Sequence, residues 1–418
     1  MAVERESHNR ERPEEEPNPD EQPAAEALRE QLQAEALGHE QVLAFDVALN
    51  TVRPRVHLER RTLPSVPHVP HRTPIVIQLR ALVDGGQEPV EIARLLASFL
   101  ERAERTLDIA IYDINLRDET ENVVLDTLRA ASRRGVRVRL LYNVDRRPPG
   151  KVAPPPPKTR PEEIEALPFE TVGVPGWPDL MHHKYVVRDG ASVWTGSTNW
   201  TDDSWSREEN VIAVVDSEAV ADRYSEDFEQ LRRRHEVRRS GKVSSEPADG
   251  IRVWFSPKRG GRLAHRIAHA IGRAERRVRI ASPVITSGPI LGTLAEAIAD
   301  GEVDIAGVVD NTQINQVLRQ WAANPIQTWK VPALRTALTA APFSGKRTTP
   351  YAPGSVHDYM HAKVTVCDDI LFVGSFNLSH SGESNAENVL EIKDAALAER
   401  LAAYVDEVRA RYPAVELL

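Results

Sequence analysis

The chain predicts an α/β fold built twice over, for three reasons. Short apolar runs alternate with segments whose apolar residues fall at helical spacing from residue 74 onward. The order of those elements in 74–235 returns in 251–412. Within it, residues 181–209, MHHKYVVRDGASVWTGSTNWTDDSWSREE, are echoed by 360–387, MHAKVTVCDDILFVGSFNLSHSGESNAE. Alternating strands and helices imply a sheet with helices on its faces. Their recurrence in order marks an internal duplication.

Taken in order, 1–45 is rich in Glu, Pro, Gln and Ala and cannot bury enough apolar surface to offset chain entropy. A disordered acidic tail is expected there, with an extended Pro/His/Arg linker up to residue 73. IVIQL predicts a strand, VEIARLLASFLERAE a helix and LDIAIYDI a strand. Residues 120–134 read as a helix ended by Gly135, and VRVRLLYNV as the next strand. The stretch 147–180, with four consecutive prolines, reads as a loop at the mouth of a site. After the first motif come the strand VIAVVD and a helix over 218–234. A polar linker over 236–250 separates the domains. The second domain, 251–418, repeats the cycle: strand IRVWFSP, helix 262–276, strand VRIASPVI, helix 288–300, strand VDIAGVVDN and helix 312–323. An irregular stretch, 324–358, leads into the second motif, and the helix 395–412 closes the repeat.

A chain of 418 residues has room for two domains with ample cores. Its net charge of −9 is unevenly placed: residues 1–40 hold twelve acids against four Arg, which leaves the remainder at −1. No basic face announces duplex DNA. The single cysteine, Cys367, excludes a disulfide framework and any multi-Cys metal site, and is expected to be a small buried hydrophobe. No apolar signal core and no run of 18 apolar residues occurs, so a cytoplasmic protein without an integral membrane segment is expected.

Chemistry concentrates in the two motifs. In a strand, alternate side chains share a face, so His182 and Lys184 point one way, as do His361 and Lys363. An imidazole beside an ammonium suits a phosphate, since lysine supplies fixed charge and histidine a nucleophile or acid near neutral pH. Lysine is scarce here, nine among 53 basic residues, yet both copies place one at this position. In Gly196-Ser197-Thr198-Asn199 and Gly374-Ser375-Phe376-Asn377, small residues allow close backbone approach, while Ser197, Ser375, Asn199 and Asn377 can bind phosphate oxygens. Glu209 and Glu387, at matching offsets, can hold the second imidazole nitrogen. His183 reads as packing or a local hydrogen bond. Trp194, Trp200 and Trp205 read as core, with one of them a candidate for the pocket wall.

With these residues in view, the segments resemble the paired HKD motifs of the phospholipase D superfamily, and the resemblance spans 74–412. It implies two phospholipase D-like domains related by a pseudo-twofold axis, each a mixed sheet flanked by helices, whose motifs meet at one active site. It also implies metal-independent, cofactor-free phosphodiester transfer through a phosphohistidine. On that resemblance His182 and His361 are the nucleophile and acid, with His182 favoured as nucleophile. Lys184, Lys363, Asn199 and Asn377 bind phosphate with Ser197 and Ser375 in support. Glu209 and Glu387 orient the histidines, and Asp189 and Asp368 make a structural contact beside the site. The expected substrate is a phospholipid, with peripheral membrane contact. Nucleic acid, cleaved by a nuclease of the same superfamily, is the alternative. A cardiolipin-synthase-type transferase is disfavoured by the lack of membrane helices, and a non-catalytic module by two intact motifs. Since one chain carries both motifs, a functional monomer is expected.

Overall fold

Each half of the described chain builds one seven-stranded mixed sheet, and the second copies the first strand for strand. The computed structural model describes residues 75–145, 158–324, 327–352 and 354–418. The acidic tail, the linker up to 73 and most of the proline run fall outside them. The first half carries β1 (Val76–Leu82), β2 (Thr106–Ile111), β3 (Ile114–Asn115), β4 (Arg137–Val144), β5 (Glu170–Pro175), β6 (Lys184–Arg188), β7 (Ser192–Gly196), β8 (Trp200–Thr201) and β9 (Asn210–Asp216). Its sheet runs β1-β9-β7-β6-β2-β4-β5, parallel only across β2, β4 and β5, with β3 and β8 paired apart from it. The second half carries β10 (Arg252–Ser256), β11 (Arg277–Ala281), β12 (Asp304–Asp310), β13 (Phe343–Lys346), β14 (Val364–Cys367), β15 (Ile370–Gly374) and β16 (Glu387–Lys393). Its order, β10-β16-β15-β14-β11-β12-β13, is the same arrangement.

Helices form where apolar residues recur every three or four positions. In the helix Pro89–Glu101, Ile92, Leu96, Phe99 and Leu100 are buried against the outer face of the first sheet. The helices Glu218–Arg234 and Ala395–Arg411 begin on side-chain caps, Ser217 accepting from the Val220 amide and Asp394 from the Leu397 amide. Both helices contribute to a central core that also holds Tyr185 and Val187 from β6 and Val364 and Val366 from β14. Residues from both halves thus share one core, flanked by an outer core in each half. Arg72–Leu418 forms one compact unit.

Two stretches expected to be irregular are partly regular. Residues 158–180 contain the short helix Pro161–Glu165 and β5, which closes the edge of the sheet beside β4. Within 324–358 lie the helix Lys330–Ala340 and β13. Leu334, Ala337 and Leu338 bury one stripe of that helix, but Pro332 in its first turn disguises its start. The strand Phe-Ser-Gly-Lys has no β-branched residue; its position beside β12 decides its conformation.

Candidate active site

His182 stands just before β6 and His361 just before β14, and both sheets deliver their histidine to the same seam. The residue before each histidine bridges the other half: Met181 pairs with Ala386, and Met360 with Glu209. The same residues are fastened within their own half by a polar group at the end of β4 or β12, two strands away in the sheet. The Met181 amide donates to Asn143 Oδ1 at 3.0 Å, and the Met360 amide to Asp310 Oδ2 at 3.3 Å. These reciprocal contacts are the pseudo-twofold relation expressed residue by residue. The seam lies at the carboxyl ends of β2 and β4, where open α/β sheets present ligand sites.

The histidines are held across that seam. His182 Nδ1 is 2.9 Å from the Glu387 carboxylate, which is fully buried. His361 Nδ1 is 3.1 Å from Asn210 Oδ1 and 3.3 Å from Glu208 Oε2. The expected role of Glu209 is therefore corrected. Its side chain turns away to Lys346, 3.0 Å off, and to the Tyr412 hydroxyl. The cause is one residue of register. Three residues separate the helix Asp202–Ser206 from β9, but only two separate His380–Ser384 from β16. Pairing shows the result: the Ser197 amide donates to the Val211 carbonyl, whereas the Ser375 amide donates to that of Asn388. Asn210 thus occupies the place of Glu387, and Glu208 that of Asn385. A one-residue slip turns the side chain to the opposite face, so matching Glu-Asn letters mislead.

Other predicted residues divide. Asn199 and Asn377 each have a buried carboxamide oxygen without a hydrogen-bond partner. Gly196 and Gly374 are required by close approach, since a Cβ on either would lie 2.1 Å from the Val211 or Asn388 carbonyl oxygen. Ser197 and Ser375 are committed to the protein instead of being free for substrate. Ser197 Oγ donates to Asn210 Oδ1 at 2.7 Å and accepts from the Val211 amide, while Ser375 Oγ accepts from the Asn388 amide. Asp189 and Asp368 are structural, as expected, but stand at the far end of β6 and β14 from the histidines. Each, at positive φ in a hairpin turn, accepts three backbone N–H groups, from Glu104, Arg105 and Thr106 or from Glu275, Arg276 and Arg277. Partial burial opposes their ionisation, but these donors outweigh it and hold both carboxyls below the usual range. His183 is packed and bonded as expected, but not locally: its Nε2 is 2.9 Å from Asp227 and its Nδ1 3.2 Å from the amide nitrogen of Asn388 in the other half. Trp194, Trp200, Trp205 and Cys367 are core, and burial pushes the Cys367 thiol up.

Sequence reasoning missed Tyr112, whose ring lies 4.7 Å from that of His182 and 5.0 Å from Lys184 Nζ. It also missed Glu208, Asn210 and Lys346. The lysine had a signal: Lys184, Lys346 and Lys363 are the buried lysines among the described residues of a chain that otherwise favours arginine.

Electrostatics follow from putting these groups out of water. Burial first, then Lys184 and Lys363, hold His182 well below the ordinary imidazole pKa. Burial, the two lysines and His182 do the same to His361. Burial raises the carboxyls of Glu387 and Glu208 to about 7 each and lowers Lys184 to about 8. Lys184 and Lys363 donate to the carbonyls of His182 and His361 at 2.9 and 2.5 Å. Glu387, Asp113 and Glu208 favour the charged form of Lys184, but burial outweighs them. Orthovanadate binding near pH 8.5, roughly, is accordingly expected to take up a proton, because an oxyanion beside Lys184 raises its pKa from about 8 toward its ordinary value. Calorimetry in two buffers of unlike ionisation enthalpy reads this directly; identical enthalpies would contradict it.

Two mixed sheets with reciprocal His-x-Lys strand entries, each histidine seated by the opposite half, define a duplicated α/β protein. The family model described as the cardiolipin synthase, PLD-like domain matches residues 96–232 and again 267–409, and the chain belongs to this phospholipase D-like family. It is 30% identical over 148 residues to the mitochondrial cardiolipin hydrolase of Chlamydomonas reinhardtii, covering 34% of this chain and 58% of that protein. The corresponding protein of Xenopus tropicalis is 29% identical over 143 residues, 33% of this chain and 60% of that one. The chain thus spans under two thirds of the relatives it matches. Phosphatidylserine synthase from Haemophilus influenzae Rd KW20 shares the fold, with a TM-score of 0.56, 14% identity and coverage of 82% of this chain and 87% of that one.

Proposed function

We propose that this protein hydrolyses phospholipid phosphodiesters by metal-independent, two-step transfer through a phosphohistidine. The observation that carries the reading is the pair of imidazoles seated across the seam, His182 on Glu387 and His361 on Asn210 and Glu208. One imidazole attacks phosphorus while the other protonates the departing oxygen. The second then deprotonates water, whose oxygen displaces the first imidazole from phosphorus. Lys184, Lys363 and the carboxamides of Asn199 and Asn377 receive the phosphoryl oxygens, replacing water with preorganised donors.

A phospholipid is favoured by the relatives' described substrate, cardiolipin, and by exposed apolar side chains in the second half. Trp329 is 60% exposed and Val356 39% exposed. Lys330 Nζ, 5.6 Å over the Trp329 ring, reaches the Thr286 carbonyl, and the Thr286 amide donates to Leu378, the neighbour of Asn377. An exposed indole beside a lysine suits the lipid–water boundary. No described helix is long and apolar enough to cross a membrane.

The test offers purified protein vesicles of phosphatidylcholine with cardiolipin, and separately a single-stranded oligonucleotide, both in EDTA. Release of phosphatidate is the expected result. Cleavage of the oligonucleotide alone would overturn the lipid assignment, and loss of activity in EDTA the metal-free chemistry. Trp329→Ala is expected to reduce vesicle binding roughly tenfold while sparing soluble bis(4-nitrophenyl) phosphate.

A further inference from the structure

Behind the seam, a cluster of polar side chains is sealed inside the central core. His183 and Asp227 are fully buried, and His183 Nε2 lies 2.9 Å from Asp227 Oδ2. Asp227 Oδ1 accepts from the Gly241 amide at 2.8 Å, which holds the carboxylate in turn. His183 Nδ1 is 3.2 Å from Asn388 Nδ2. Asn388 Oδ1 accepts from the Thr195 hydroxyl at 2.7 Å and from that of Tyr224 at 3.1 Å. A second-half carboxamide is therefore satisfied by first-half side chains. With its oxygen on the two hydroxyls, its nitrogen faces His183 Nδ1, which leaves the ring proton on Nε2, toward Asp227.

The pseudo-twofold mates of these residues behave differently. Ala362 follows His361 as His183 follows His182, and Val373 precedes Gly374 as Thr195 precedes Gly196. The Val211 carbonyl accepts the Ser197 amide as that of Asn388 accepts the Ser375 amide. Counted from the caps Ser217 and Asp394, Tyr224 and Asp227 correspond to Leu401 and Tyr404. All but the last of these mates are aliphatic and buried in the same core, and the Tyr404 hydroxyl bonds the Leu82 and Asn210 carbonyls instead. Aliphatic side chains thus fill the mirror position, so closing the core does not require the polar set, whose burial carries a desolvation cost.

We infer that His183, acting through Asn388, positions the Glu387 carboxylate against His182. This rests on the phosphodiester chemistry proposed above, not on the lipid. Asn388 follows Glu387 in β16, and adjacent residues of a strand point to opposite faces. Its main chain is fixed as well: the amide donates to Ser375 Oγ at 3.0 Å, and the carbonyl accepts from the Ser375 amide at 2.9 Å. A carboxamide can be buried there in one register only, the one that meets His183, Thr195 and Tyr224. A slip by one residue would bury the Glu387 carboxylate in the core and turn an amide toward His182. The first half, which owns His182, thereby holds in place the carboxylate that the second half supplies to it. His183 and Asn388 are positioning residues, since both point into the core, away from the seam.

The test compares turnover of bis(4-nitrophenyl) phosphate by the full chain as wild type, His183→Ala, Glu387→Gln and the variant carrying both. His183→Ala is expected to lower kcat about 10- to 100-fold with KM nearly unchanged, the usual cost of losing a partner behind a catalytic group. In the Glu387→Gln background the same change should cost at most about twofold, because the carboxylate it positions is already gone. His183→Gln, which can accept from Asn388 and donate to Asp227, is expected to recover most of the loss. Equal losses in both backgrounds would show a merely structural role, and wild-type kcat in His183→Ala no role; either overturns the proposal. His183→Ala combined with Asn388→Val reproduces the mirror pair, Ala362 and Val211, and carries the same comparison where the single variant does not fold. A wild type inert toward this ester would remove the phosphodiester reading itself, and the inference with it.

Discussion

His182→Ala is expected to lower turnover of a phospholipid by at least about 10⁴-fold, and His361→Ala by a comparable factor. Each half supplies one group that the other cannot replace, because Glu387 reaches only His182, and Asn210 with Glu208 only His361. The double variant should be scarcely worse than either single one, as groups that act as a unit are not additive. Steady-state assay of the three proteins, with circular dichroism to confirm folding, makes the comparison. Near-normal turnover in either single variant would refute a shared site.

Lys346→Ala is expected to destabilise the protein by about 3–5 kcal/mol, the cost of leaving a buried charge without its partner. Lys346 is 5% exposed at its side chain and lies 3.0 Å from the fully buried Glu209 and 3.1 Å from Asp84. It also donates to the Arg207 carbonyl at 2.7 Å, and Tyr412 bonds the same glutamate. This cluster joins β1's end and β9's entrance to β13 and the final helix, so it ties the two halves together beside the site. Lys346→Met combined with Glu209→Leu should recover most of the loss, since apolar residues of similar volume often replace a buried pair at little cost. Chemical denaturation of wild type, Lys346→Met, Glu209→Leu and the double variant measures the cycle, with Lys346→Ala alongside. A Lys346→Ala protein as stable as wild type would remove the cluster from any structural role.

Most of the architecture was legible in the sequence because it depends on local periodicity. The helices Glu218–Arg234 and Gly288–Asp300 match their predicted limits, and the remaining predicted helices fall where expected, although the helix predicted over 262–276 spans Gly260–Ile271. Their apolar stripes and caps are written within a dozen residues of one another. The helix Lys330–Ala340 and β13 were not legible, because what makes them regular is a neighbouring helix or strand remote in sequence. Asp189 was read as structural, but not its distance from the site: the five residues of β6 carry it to the opposite end of the strand.

For the site, the sequence by itself determined the chemical inventory: two histidines, two lysines and two asparagines, at spacings that only strand alternation makes meaningful. It could not determine which carboxylate serves which histidine. Side-chain direction in a strand reverses with each residue, and the length of the connection before β9 and β16 sets that register. Tertiary structure alone decided that Glu209 belongs to Lys346, that Glu208 and Asn210 face His361, and that the two halves of a repeat hold their histidines with carboxylate and carboxamide exchanged.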